Sequence, residues 1–255
     1  MLGAIIGDIV GSVYEFDNIK TKDFPLFRED CRFTDDTVMT IAVRNALRIY
    51  DKEKDIQSFQ AALIAEMQRL GRKYADRGYG GRFAKWLWME DPKPYGSYGN
   101  GAAMRVSPVG EYASSLEEAL KLAKASALVS HDHPEGIKGA QAAAAAVFLA
   151  RQEGWGKARI KNFIEGEFYR LDFTLAEIRE TYTFDVSCQG SVPQALACFF
   201  EGESFEDVIR NCISIGGDCD TTAAIAGSIA EGYYGLPEEI VERARTYLGE
   251  IEEEM

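Results

Sequence analysis

Gly216-Gly217-Asp218-Cys219-Asp220-Thr221-Thr222 leads directly into Ala223-Ala224-Ile225-Ala226-Gly227. A glycine pair breaks the chain, carboxylates and hydroxyls follow, and the small apolar run after them reads as a helix. The same arrangement stands near the other end, where Phe33-Thr34-Asp35-Asp36-Thr37 precedes Val38-Met39-Thr40-Ile41-Ala42. Both stretches predict helix mouths rich in oxygen donors. Thr and Asp are preferred N-caps, and acids in a first turn offset the helix dipole, so a single acid at either mouth would have a purely structural use. Each mouth carries two acids, one more than capping needs. Packed together without a cation, these carboxylates would repel, and some would have to take up protons. If the mouths converge, they supply hard ligands for divalent cations such as Mg²⁺ or Mn²⁺.

Outward from these mouths the pattern is helical almost throughout. Residues 1–15 place Gly3, Gly7 and Gly11 at four-residue spacing, a stripe that lets another helix approach closely, and Asp8 and Glu15 share a face seven residues apart. Further helices are predicted over 34–50, 55–73, 114–130, 134–152, 157–169, 192–201, 204–214, 220–234 and 237–253. Ser114 and Glu117 have capping-box spacing, Pro193 and Pro237 suit first turns, and Ala142 to Ala146 suit a tightly packed core helix. The segment 78–110 is rich in Gly, Tyr, Trp and Pro and predicts an irregular, functional stretch with a short helix over 82–89. Thr181 to Val186 alternates as a strand would, but has no clear partner. The expectation is an all-α fold, one domain spanning residues 1–255, built as an orthogonal helical bundle with a two-metal cleft at helix N-termini.

A hydrophobic fraction of 46% is enough for a sizeable core, and a net charge of −13 excludes a nucleic-acid footprint. An anionic substrate would be repelled at long range unless bound cations reverse the local field. No stretch is long enough to span a bilayer. The five cysteines are odd in number and lack Cys-x-x-Cys spacing, which predicts reduced thiols and a cytoplasmic protein. Cys219, inside the second acidic cluster, suits the core as a small hydrophobe better than a site of hard oxygens.

The glycine-rich stretch Tyr95-Gly96-Ser97-Tyr98-Gly99-Asn100-Gly101-Ala102-Ala103-Met104-Arg105 is the second chemical feature. Its glycines allow close backbone approach and leave N–H groups free for phosphate oxygens. Ser97 adds a hydroxyl donor, and Tyr98 can stack on a base or ribose. The stretch is neither a P-loop nor a dinucleotide fingerprint, because no strand precedes it and no Gly-Lys-Ser/Thr follows. His131 and His133 have no Cys or Glu-x-x-His nearby, which argues against zinc and for hydrogen bonding near a ligand or simple capping. Gly-x-Ser-x-Gly is absent. Metal-assisted chemistry with a carboxylate as proton acceptor is left, or binding alone.

Taken together, the chain resembles the ADP-ribosylglycohydrolase family. The resemblance is carried by Gly3 to Ser12 with Glu15-Phe16, by Phe33 to Thr37, by Gly99 to Arg105 and by Gly216 to Gly227, in family order. It implies an all-α domain with a two-metal centre, Mg²⁺ or Mn²⁺, held by Thr34, Asp35, Asp36, Asp218, Asp220 and Thr221. It implies that Glu15 lies near metals and substrate, with Glu15, Asp35 and Asp36 as the candidate proton acceptors. It places ADP-ribose phosphates and distal ribose on Ser97, Tyr98, Gly99, Asn100 and Gly101, and His131 on the substrate side. The implied reaction is hydrolysis at C1″ of ADP-ribose attached to an acceptor: a protein Ser or Arg side chain, or a small molecule such as O-acyl-ADP-ribose. Crystallin-like relatives are the non-catalytic alternative. The Gly-Ser-x-Tyr-Glu arrangement around Glu15 is similar to the serine- and poly-directed branch, which leans the expectation towards an O-glycosidic acceptor. One departure is Glu231-Gly232, where the family usually has Gly-Ala.

Overall fold

A computed structural model describes residues 1–255, the side chain of Glu53 excepted. The glycine stripe decides how its two ends meet. Helix α1 (Leu2–Gly11) lies against α13 (Cys219–Tyr234), with backbone touching backbone. A Cβ added at Gly3 would stand 2.4 Å from the Gly227 carbonyl oxygen, one at Gly7 2.1 Å from that of Ala223, and one at Gly11 2.3 Å from the Asp220 Cα. Glu231 closes the top of this contact. Its Oε2 accepts the Gly3 N–H at 2.8 Å, satisfying a donor of the first turn of α1. The Glu231 departure therefore has a structural use.

Between these helices the chain forms α2 (Asp35–Glu53), α3 (Ile56–Lys73), α4 (Gly81–Trp86), α5 (Gly101–Met104) and α6 (Ser107–Tyr112). Then come α7 (Leu116–Leu128), α8 (Pro134–Ala150), α9 (Lys157–Glu167), α10 (Leu175–Ile178), α11 (Cys188–Glu201) and α12 (Phe205–Ile215). After α13 follow α14 (Glu238–Arg245) and a 3₁₀ helix, Gly249–Glu254. The fold is all-α, as predicted. Among the described residues the only pairing of strand type is an isolated bridge between Gly99 and Ser187.

Helix α13 is the hub. It packs against α1, α8, α11 and α12, and every residue from Cys219 to Ala230 is buried. Alanine, glycine and small hydroxyl side chains on all faces permit this. Ala142 to Ala146 of α8 are buried in the same core, as are Ile5, Ile6, Ile9, Ile225 and Ile229. Each such isoleucine contributes roughly 1.5–3 kcal/mol by leaving water.

Several boundaries differ from the sequence pattern. Helix α1 stops at Gly11, so Glu15 stands in the turn beyond it. The box at α7 is shifted by one residue: Ser115 accepts from the Glu118 N–H, and the Ser114 N–H and hydroxyl donate to Glu118 Oε2. Pro193 is interior, because α11 begins upstream at Cys188, where Ser187 caps it and the Cys188 N–H donates to the Tyr98 carbonyl. Tertiary contact thus lengthens a helix that the proline alone would have started. Pro237 caps α14 from outside, and the predicted helix over 237–253 breaks before Gly249, whose φ is +53°. Thr181 to Val186 forms no strand. The segment 78–110 holds α4, α5 and part of α6 in place of the single predicted helix.

Candidate functional site

The close contact of α1 with α13 brings the N-termini of α2 and α13 together beneath one cavity. Asp8 organises the first mouth. It is 0% exposed, in an otherwise apolar helix. Its carboxylate accepts the Thr34 N–H at 2.9 Å, the Thr34 hydroxyl at 2.6 Å and the Thr37 N–H at 3.1 Å, and also the Thr37 hydroxyl. Burial raises its pKa, and these donors oppose the rise. Asp8 is the site residue that periodicity undervalued. The signal was a lone acid between Ile5, Ile6, Ile9 and Val10. Asp8→Asn replaces one acceptor oxygen with a donor facing donors. It is expected to cost about 2–3 kcal/mol in urea unfolding; an unchanged midpoint would remove Asp8 from this role.

The acids then converge. Thr34 caps α2, accepting from the Asp36 N–H at 3.4 Å, with its hydroxyl proton committed to Asp8. Asp35 is half-buried and its N–H donates to the Arg77 carbonyl. Asp36 is 2% exposed; its Oδ2 accepts from the Thr221 hydroxyl at 3.2 Å. Asp36 Oδ1 is buried with no partner among the described residues. Across the cleft, carboxylate oxygens of Glu15, Asp218 and Asp220 lie within 4.8 Å of one another. Burial first, and neighbouring acids next, push Asp35, Asp36 and Asp220 well above the usual carboxylate range. The same causes push Glu15 up to about 8. Asp218 is raised to about 6 by burial, against the pull of its hydrogen bonds. An orphaned buried oxygen and a cluster of mutually repelling carboxylates fit a hard divalent cation, which would neutralise the charge and take up the free lone pairs.

The glycine-rich loop lies on the other side of the same cavity, whose volume is about 540 Å³. Ser97, Gly99, Asn100, Gly101 and His131 line it together with Glu15, Asp35, Asp36, Asp218, Asp220 and Thr221. The Asn100 side chain is engaged within the protein, its Nδ2 donating to Asp218 Oδ2 at 2.7 Å. Ser97 Oγ accepts the Gly99 N–H at 3.2 Å. Tyr98 does not line the cavity. It is 50% exposed, with its ring edge against His133, because the Tyr98 carbonyl is drawn inward by the Cys188 N–H. His131 is 5% exposed and held by burial, then by Arg105, well below the usual imidazole range. His133 has the capping role, its Nδ1 accepting the Glu135 N–H at the start of α8. Cys219 is buried and donates to the Gly11 carbonyl, as a core thiol.

The profile of the ADP-ribosylglycohydrolase family matches residues 1–254. The chain belongs to that family. A relative in Mus musculus, ADP-ribosylhydrolase ARH3, is 27% identical over 92% of this chain and 83% of its own length. The ADP-ribosylarginine hydrolase Tri1 of Serratia proteamaculans is 23% identical over 92% of this chain and 70% of its own length. Among solved structures, an "ADP-ribosylglycohydrolase-related protein complex" superposes with a TM-score of 0.66 at 22% identity, covering 96% of this chain and 94% of that one. This likeness bears on the fold. The cavity has an acidic floor on α2 and α13 and a backbone-rich wall at Ser97, Gly99, Asn100 and Gly101, with Arg82 and Arg105 among its lining residues. No helix is long and apolar enough to cross a membrane.

Proposed function

We propose that this ADP-ribosylglycohydrolase-family protein hydrolyses the C1″ glycosidic bond of ADP-ribose attached to an acceptor and releases free ADP-ribose. The observation that carries the reading is the convergence of two acidic helix mouths and a glycine-rich loop on one 540 Å³ cavity, a size suited to a nucleotide-like ligand. Thr34, Asp35, Asp36, Asp218, Asp220 and Thr221 would hold two divalent cations, Mg²⁺ or Mn²⁺. Cations there would supply positive charge to offset the acidic floor and to orient oxygen groups of the substrate.

The chain's own residues do the rest. The Gly99 to Gly101 backbone admits phosphate oxygens closely, and His131 donates to them. Asn100 holds Asp218 in place through its amide. Glu15 stands at the cavity edge, half-buried and beside Asp218 and Asp220. With cations compensating its neighbours, Glu15 is placed to take a proton from the attacking water; Asp35 and Asp36 are the other acceptors within the cluster. Water oxygen bonds to C1″, the bond from C1″ to the acceptor atom breaks, and the acceptor leaves with a proton. Positive charge develops on the ribose in between, as in other glycoside hydrolyses.

The expected acceptor linkage is O-glycosidic. The lean rests on the Gly-Ser-x-Tyr-Glu arrangement around Glu15; the connection from Glu15 to Arg32 mixes Lys20, Lys22, Asp23, Arg28, Glu29 and Asp30, so charge does not decide between a guanidinium and a hydroxyl acceptor. A matched pair of peptides, ADP-ribosylated on serine or on arginine, tests this with Mg²⁺ and then Mn²⁺. Faster release from serine is expected. Release from arginine alone would overturn the linkage. Release from neither, with turnover of O-acyl-ADP-ribose, would move the substrate to free ADP-ribose derivatives.

A further inference from the structure

The ring of His131 is held from behind by a charge that is itself buried. Arg105 is 1% exposed, and among the described residues its hydrogen bonds end on neutral oxygens: Nη2 donates to the Ser126 carbonyl at 2.8 Å and to Ser130 Oγ at 3.0 Å. Its Nε has no partner among them, and burial lowers its pKa to about 10. Keeping an arginine here is costly, so its use is of interest.

A guanidinium can only donate, so Ser130 Oγ must be the acceptor in that bond. Ser130 Oγ also lies 2.7 Å from His131 Nδ1. If Nδ1 carried a proton, Oγ would accept twice, and the buried hydroxyl proton would have no acceptor among the described residues. If Nδ1 is bare, the hydroxyl donates to it, and both Ser130 Oγ and His131 Nδ1 are satisfied. The ring proton then sits on Nε2. That nitrogen faces the glycine-rich loop: a Cβ added at Gly101 would stand 3.2 Å from it, and one at Gly99 3.5 Å. Both positions lack side chains, so Nε2 opens onto the cavity.

We propose that Arg105 is a positioning residue, which acts through Ser130 to hold His131 as the neutral Nε2–H tautomer, presenting one fixed donor to an anionic oxygen of the ligand. The Arg105 charge also disfavours an imidazolium beside it. Only the identity of the ligand oxygen, a phosphate, rests on the proposed function; the tautomer does not.

The chain has two histidines, so full-length protein labelled with ¹⁵N-histidine gives a spectrum of two imidazoles, which His133→Gln assigns. Long-range ¹H–¹⁵N correlation at pH 7 is expected to show a bare Nδ1 and a protonated Nε2 for His131. Ser130→Ala should mix the tautomers and weaken ADP-ribose binding about tenfold in calorimetry, the loss of one well-placed hydrogen bond to a charged group. Ser130→Thr, which keeps the hydroxyl, should restore both. Arg105→Met should mix the tautomers if it folds; if it does not, the serine pair decides. A protonated Nδ1 or an imidazolium in the wild type, or an unchanged tautomer in Ser130→Ala, would overturn the relay. A locked tautomer without ADP-ribose binding would support the relay and count against the proposed function.

Discussion

Asp36→Asn and Asp220→Asn are each expected to cut ADP-ribose release at least about a hundredfold, the scale on which preorganised charge at a reacting centre is felt. Helicity by circular dichroism should be unchanged. The physical ground is the unpartnered Asp36 Oδ1 and the burial, with repulsion from neighbouring acids after it, that raises Asp36 and Asp220. The same repulsion gives a stability signature that capping would not. In chelator, each variant should melt no lower than the wild type, because one repelling charge is gone. Neutralising a first-turn acid that only offset the helix dipole would lower the melting temperature. Acids whose folded pKa is raised bind protons more tightly in the folded state, so stability must fall as pH rises through the interval. That interval runs from 3.8 to about 6 for Asp218 and from 4.5 to about 8 for Glu15. The cation-free wild type should therefore lose melting temperature from pH 5 to 8. Mg²⁺ or Mn²⁺ at a hundred times its dissociation constant should restore roughly 2.7 kcal/mol. Full activity in exhaustive chelator, or a melting temperature indifferent to both cations, would remove the metal role.

Gly7→Val is expected to be the most damaging substitution outside the acidic cluster. A Cβ at Gly7 would come within 2.1 Å of the Ala223 carbonyl oxygen and 2.7 Å of the Ala224 nitrogen. These are backbone atoms in the buried hub helix, so no side chain can turn aside. Helix α1 would have to lift from α13. Overpacking typically costs 1–3 kcal/mol where side chains can adjust, so about 3 kcal/mol or more is expected here. Lifting α1 also carries Asp8 away from Thr34 and Thr37, so activity should fall even in molecules that remain folded. Gly80→Val is the control, since a Cβ there meets nothing within 4 Å. Equal urea midpoints for the two variants would contradict the close contact.

The helical class and the acidic mouths were legible because both are local. The small apolar run from Ala223 to Gly227 and doubled acids before a helix need no knowledge of the partner. The glycine stripe was legible as a demand for close approach, though not which helix would answer it. What was illegible depends on contacts distant in sequence. The start of α11 at Cys188 is drawn upstream by the Tyr98 carbonyl. Tyr98 itself reads as a stacking residue, but the backbone pairing of its loop with Ser187 leaves the ring outside the cavity. Asn100 reads as a ligand donor, yet its amide is spent on Asp218. Arg105 reads as the end of a motif, and only its burial beside Ser130 gives it work.

The stripe also sets a schedule. Gly3 and Glu231, joined by a hydrogen bond, are 228 residues apart along the chain. Closing so long a loop is entropically slow, and the reward comes only once the two ends have docked. On a ribosome the first acidic mouth emerges early and must wait for the second. Asp8 can already bond Thr34 and Thr37, but until α13 arrives the glycine face of α1 has no partner, and the acids at Asp35 and Asp36 stand without Asp218 and Asp220 opposite them. The two acidic mouths, 182 residues apart between Asp36 and Asp218, therefore meet only after α13 has docked on α1.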